Sequence, residues 1–176
     1  MYREMKTGFD KEISLISWLT IIAIFLIVAI SFKSIIVPLI LVITVMTAVF
    51  VNVIFAGLMR GEMLYLAYLI VQAILMGATI DYGILFANYY KEKRRTMEPY
   101  DAVKEAYKGS IRTITTSGLI MIVAPGVMAI LVDDITISAI VGSLSIGAAM
   151  AVLMILIVLP GVLVAFDKLV VHQKKS

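Results

Sequence analysis

The chain has 176 residues, 62% of them hydrophobic, and a mean hydropathy of +1.06; a water-soluble domain is only about 45–50% apolar. That composition excludes a soluble enzyme or binding domain, and the lack of cysteine excludes disulfides, thiol nucleophiles and cysteine metal sites. The net charge of +3 is small, so where the charges sit matters more than their sum.

In chain order, five apolar runs reach the roughly 17–25 residues that a helix needs to cross a hydrocarbon core. They cover residues 13–32, 35–58, 64–90, 114–132 and 135–166. None shows the alternation of a strand, so the expected fold is an all-α membrane protein with five transmembrane helices. The first run follows mixed acidic and basic residues and lacks a small-residue cleavage site, which argues against a signal peptide.

The joints between the runs differ in character. "SFKSIIVP" reads as a tight turn, with Pro38 in the first turn of the next helix. "GLMRGE" reads as a second turn, and its Gly57-x-x-x-Gly61 spacing is assigned to turn chemistry because it lies at the membrane edge. Residues 99–109 place Tyr100, Val103, Ala106 and Tyr107 on one helical face and Asp101, Lys104, Glu105 and Lys108 on the other. This predicts a short amphipathic helix on the cytoplasmic surface, stopping at Gly109. Pro125-Gly126 predicts a kink in the fourth span whose freed carbonyls are met by neighbouring helices.

Charge placement sets the expected orientation. Eleven basic residues (Lys33, Lys91, Lys93, Arg94, Arg95, Lys104, Lys108, Arg112, Lys168, Lys174, Lys175) would lie on one side, and four (Arg3, Lys6, Lys11, Arg60) on the other. The positive-inside rule then puts the N-terminus outside and the C-terminus in the cytoplasm, with the chain multi-pass in the plasma membrane. The one histidine, His172, falls in the polar tail and carries no expected chemistry.

Asp81 is the exception inside the spans. An ionised Asp at a helix centre costs about 2.5–3.5 kcal/mol on insertion scales, and no Lys or Arg lies within any span to offset it. It is neutral most of the time, or paired with a cation outside the chain, or facing a hydrated cavity. A reversibly protonated site is the natural reading. Gly77 and Asn88 share its helix face. Tyr82 places a phenol beside it, and Gly77 and Gly83 would let another helix approach. Thr113, Thr115, Thr116 and Ser117 open the fourth span with hydroxyls that either support a polar path or bond to their own backbone. Ser143, Gly147 and Ala151 form a small-residue packing stripe on the fifth span.

The stretch "GATIDYGILFANYYKEKRR", with "SFKSIIVPLI", "AVKEAYKGSIRTITTSGL" and "LIVLPGVLVAF", resembles the five-helix segment of a half-transporter of the resistance-nodulation-division (RND) superfamily, closest to its MMPL-type exporters and akin to the sterol-sensing domain. The resemblance covers nearly the whole chain. It implies Asp81 as proton carrier and Tyr82 as its hydrogen-bonding companion, coupling proton entry to export of lipids or other hydrophobic compounds. Thr113, Thr116, Ser117 and Asn88 would be relay support. It also implies a facing partner, either the other transporter half or a second copy. Family halves have six spans and an extracytoplasmic domain, so residues 1–12 would be the end of that domain, and the polar tail favours the C-terminal half. The expected driving force is a proton gradient, with no cofactor or metal. The alternative is a sterol-sensing-like lipid-binding or structural module without proton flux. No nucleotide-binding loop, zinc-protease motif or catalytic triad is present. The basic residues follow membrane sidedness, so nucleic acid is not an expected partner.

Overall fold

The computed structural model describes residues 18–19, 21–30, 32, 34–60 and 65–167. Among these the chain is helical, joined by short turns, and contains no strand. The helices are α1 (Ile21–Ile30), α2 (Ile36–Arg60), α3 (Tyr65–Lys93), α4 (Pro99–Leu131), α5 (Ile135–Leu153) and α6 (Leu159–Ala165). A π-helical turn, Met154–Val158, joins α5 to α6 without a break. Three stretches are long and apolar enough to cross a membrane: Ile70–Lys93, Pro99–Leu131 and Ile135–Ala165. The first expected span lies partly outside the described residues, as do Gly61, Lys33 and the tail with His172.

One expectation is corrected. Residues 99–109 are not a separate surface helix; they are the first three turns of α4, and Gly109 does not stop it. The buried residues Ala102, Ala106, Ser110, Ile114 and Gly118 recur every fourth position, so the seam that packs the amphipathic part runs on into the apolar part. Gly109 serves packing instead. A Cβ there would lie 2.6 Å from Tyr89 Cε1. At about 1.5 Å per residue α4 extends roughly 50 Å, longer than a hydrocarbon core of about 30 Å.

Hydroxyl groups from neighbouring helices donate to backbone carbonyls near both intrahelical prolines. Pro125 removes the donor that would serve the Met121 carbonyl, and α4 remains helical through it. Ser145 donates to the next carbonyl along, Ile122 O, at 2.6 Å, and Ser138 donates to Ala129 O at 2.7 Å. These serines, with Val152 packed against Gly118, recur every seven residues along α5, so one face follows α4 closely. Asp134 caps α5, accepting from Thr136 N at 2.8 Å and Ile137 N at 3.0 Å. Pro160 likewise frees the carbonyl of Leu156, and the Tyr107 hydroxyl of α4 donates to it. Tyr107 also meets Phe86 edge-on, with ring centroids 5.1 Å apart.

The core lies between α1, α2, α3, the first half of α4 and the π–α6 segment, around Leu41, Phe86, Tyr90, Ile114, Ile155 and Leu159. Large apolar side chains such as Ile30, Phe50, Ile130 and Ile135 face outward, as an apolar solvent requires.

At one end of the bundle a charged clamp gathers the chain. Asp167 follows α6 and is 5% exposed. Its Oδ1 accepts from Arg94 Nε at 2.9 Å and from the Tyr90 hydroxyl at 2.6 Å, and its Oδ2 accepts from Arg94 Nη2 at 2.9 Å. Arg94 Nη1 donates to Met97 O at 2.9 Å, so the same guanidinium shapes the α3–α4 turn. Lys91 joins α1 to this end through Phe32, donating to its carbonyl and lying 5.4 Å from its ring centroid. Burial pushes the Asp167 carboxyl up, but the hydrogen bonds from Arg94 and Tyr90 and the Arg94 charge outweigh it and hold it below its ordinary value. The hydrogen bonds that Arg94 donates to Asp167 in turn raise the guanidinium above its ordinary value.

Removing Asp167 takes away the acceptor of the buried Tyr90 hydroxyl and the fork of the partly exposed Arg94, so Asp167→Ala should cost about 1–3 kcal/mol of stability. Thermal unfolding in detergent measures this. Because the folded carboxyl lies below its unfolded value, the clamp contributes fully above the ordinary carboxylate range. That contribution is lost as pH falls through the folded value. The wild type should therefore hold its melting temperature from neutral pH down to the ordinary carboxylate range and lose it more acid than that, with Asp167→Ala flatter over the same acid range.

Candidate functional site

Asp81 lies close to the middle of α3, two residues towards the clamp end, and its side chain is exposed on the surface of the described chain. Among the described residues it has no hydrogen-bond or ion-pair partner. The same face carries Ile70, Ile74, Gly77 and Asn88, all exposed and spaced by three, four or seven residues. A Cβ at Gly77 would meet nothing within 4 Å, so this side of α3 offers a bare and unobstructed surface.

The neighbouring positions turn inward. Gly83 is buried, and a Cβ there would lie 2.8 Å from Leu41 Cδ2 and 3.4 Å from Ile155 Cδ1. Tyr82 is half-buried and reaches α4, where its hydroxyl lies 4.0 Å from Met121 Sδ, a weak acceptor. Its phenol is directed to α4 and not bonded to Asp81. Two adjacent residues of one helix thus serve different faces.

The hydroxyl stretch of α4 is engaged locally. Thr116 Oγ1 donates to Arg112 O at 2.7 Å, and Ser117 Oγ donates to Thr113 O at 2.9 Å. Thr113, Thr115 and Thr116 are exposed and Ser117 is half-buried. Backbone bonding of this kind satisfies a hydroxyl in an apolar setting, and the structure joins none of these groups to Asp81 by a hydrogen bond. Ser143, Gly147 and Ala151 are buried along α5. Gly147 faces Leu75 of α3 and Asn52 of α2, whose Cγ and Oδ1 a Cβ would meet at 2.9 Å.

Sequence reasoning missed the Tyr90–Arg94–Asp167 clamp, because Arg94 reads as one of a basic run and Asp167 as the start of a polar tail. The signal was present in two places. Tyr90 and Arg94 are four residues apart on one face of α3, and an acid stands directly after the last aromatic of the final span.

The two carboxylates are therefore of opposite kinds: Asp167 is held by three donors, Asp81 by none among the described residues. Asp81→Asn should leave the thermal stability of the isolated chain in detergent unchanged or raised, in contrast to the loss at Asp167. A marked loss at Asp81→Asn would show that the acid has a structural partner.

The comparison with known families matches residues 1–175 to the MMPL family. No curated protein and no solved structure matches the chain. Among the described residues the chain is helical, with three helices long and apolar enough to cross a membrane, which agrees with that match. The match spans nearly the whole sequence, and the chain belongs to the MMPL family as a transporter-type, multi-pass membrane module rather than an enzyme.

Proposed function

We propose that the chain is the transmembrane module of a proton-motive-force-driven exporter of lipids or other hydrophobic compounds, with Asp81 as its proton carrier. The observation that supports this reading is the carboxylate of Asp81, which has no partner among the described residues and stands on an exposed face of an apolar helix. An acid kept there against an insertion cost of about 2.5–3.5 kcal/mol is useful where its charge can be taken off and put back.

In this reading five helices cross the plasma membrane, with the clamp end of the bundle in the cytoplasm. Lys91, Lys93, Arg94, Arg95, Lys104 and Lys108 near that end support the orientation, through the attraction of basic segments to the cytoplasmic side. The bare face of α3 then meets the other transporter half or a second copy, with Gly77 allowing close approach and Asn88 supplying a polar group nearer the cytoplasm. Tyr82, held against α4, acts as the companion that reports or relays the charge of Asp81 through water, and the hydroxyls of Thr113, Thr116 and Ser117 support the cytoplasmic entry. A hydrophobic or lipid-like substrate suits a module whose surroundings are lipid, and no cofactor beyond the proton gradient is needed.

The test is proton-coupled transport by the complete assembly in proteoliposomes carrying an imposed pH gradient. Asp81→Asn should bring coupled export down to background while leaving assembly intact, and Tyr82→Phe should reduce it partially. Undiminished transport with Asp81→Asn rules out the relay. Saturable lipid binding that persists in that variant, with no proton movement in either protein, supports the lipid-binding reading instead.

A further inference from the structure

Two amide oxygens are buried without a donor in the half of the bundle remote from the clamp: Asn52 Oδ1 on α2 and Gln72 Oε1 on α3. Asn52 is 6% exposed. The helix register sets these two against each other. Leu41 of α2 packs against Gly83 of α3, Asn52 lies eleven residues beyond Leu41, and Gln72 lies eleven residues before Gly83. Eleven residues is close to three whole helical turns, so each amide returns to the face of its reference residue, and in an antiparallel pair both arrive at the same level. The third wall is α5, where Gly147 sits against Asn52 and Leu75, and buried Ser143 lies one turn away. Gln72 Nε2 is 4.0 Å from Met76 Sδ, a weak contact that leaves its oxygen unserved.

From this we infer an intramembrane water-binding site between α2, α3 and α5, in which a water molecule donates to Asn52 Oδ1 and Gln72 Oε1 and is accompanied by the Ser143 hydroxyl. Two acceptors cannot satisfy each other, and lipid offers no donor, so each orphaned oxygen carries the desolvation cost of an unmade hydrogen bond. One water supplies two donors and takes two to four polar partners, as buried waters do. A metal cation is a poorer fit, because the three side chains bring no negative charge to offset it away from water. The site is separate from Asp81. Nine residues along one helix amount to half a turn beyond two whole ones, so Gln72 and Asp81 face opposite ways. A wet polar joint at this point ties α2 and α3 to α5 through exchangeable hydrogen bonds.

Hydroxyl-radical footprinting of the full chain in lipid nanodiscs, with radicals generated from water by X-rays, tests this directly. A water held at the site oxidises its nearest sensitive side chain, Met76, although that residue is only 2% exposed. Met76 should be oxidised several-fold faster in the wild type than in the Asn52→Leu/Gln72→Leu double variant, with Met46 unchanged as the internal reference. Equal rates at Met76 in the two proteins, or no oxidation in either, overturns the proposal in favour of a dry, direct amide pair. Should Met46 also accelerate in the double variant, showing that the bundle has opened, the Gln72→Leu single variant decides by the same comparison.

Discussion

In hydrocarbon a carbonyl that loses its helical donor has no water to turn to, and this chain makes such carbonyls with its own prolines. Pro160 frees Leu156 O, and the donor comes from Tyr107, forty-nine residues away in sequence. For that hydroxyl to arrive, the segment carrying Tyr107 has to lie alongside the π turn. Residues 99–109 must then continue the axis of α4 and cannot rest flat on the membrane surface. The π turn itself widens the helix where Leu159 N bonds back to Met154 O, one residue further than usual. Tertiary satisfaction of one backbone group thus fixes the path of a whole helix. Ser145 donates beside Pro125 and Ser138 in the last turn of α4, so α5 is held to α4 through carbonyls rather than through side-chain pairs.

The same rule explains why the carboxylates differ. Asp167 sits at an end of the bundle, where an arginine fork and a phenol reach it and the charge is spread over three donors. It closes the fold, because it links the end of α3, the turn into α4 and the end of α6. Among the described residues Asp81 has neither an end position nor a donor. Its face of α3 is one that the described residues leave uncovered, while the opposite face is filled by Leu41, Ile155 and Leu159 at Gly83. A helix polarised in this way has its packing done on one side only.

The sequence made the helical class and the membrane setting plain, because runs of apolar residues without alternation admit little else. Element ends agreed closely for α2, α3 and the α5–α6 rod, where a change from apolar to polar residues coincides with the turn. The fourth helix did not, because Gly109 has two readings, a stop signal or a gap for a neighbouring ring, and only Tyr89 distinguishes them. Asp81 was legible because a lone acid in an apolar run needs no partner to be noticed. The clamp and the Asn52–Gln72 pair were not, because their meaning is relational. Arg94 becomes more than a membrane anchor only when Asp167 is beside it, and Asn52 becomes a buried amide only when α3 and α5 close over it.

Polar residues in the bundle therefore fall into an order set by how fully the protein answers them. Thr44, Thr79 and Ser110 bond to the carbonyl one turn back in their own helices and ask nothing of their neighbours. Tyr107, Ser138 and Ser145 are answered by another helix and so determine how helices sit together. Asn52, Gln72 and Asp81 are left unanswered among the described residues, the first two inside the bundle and the last on its surface. An enclosed neutral oxygen can be met by a single small molecule of solvent. A surface carboxylate in hydrocarbon needs a larger answer, either a proton or a second protein surface that brings donors of its own. Position on opposite faces of α3 is what assigns Gln72 to the first case and Asp81 to the second.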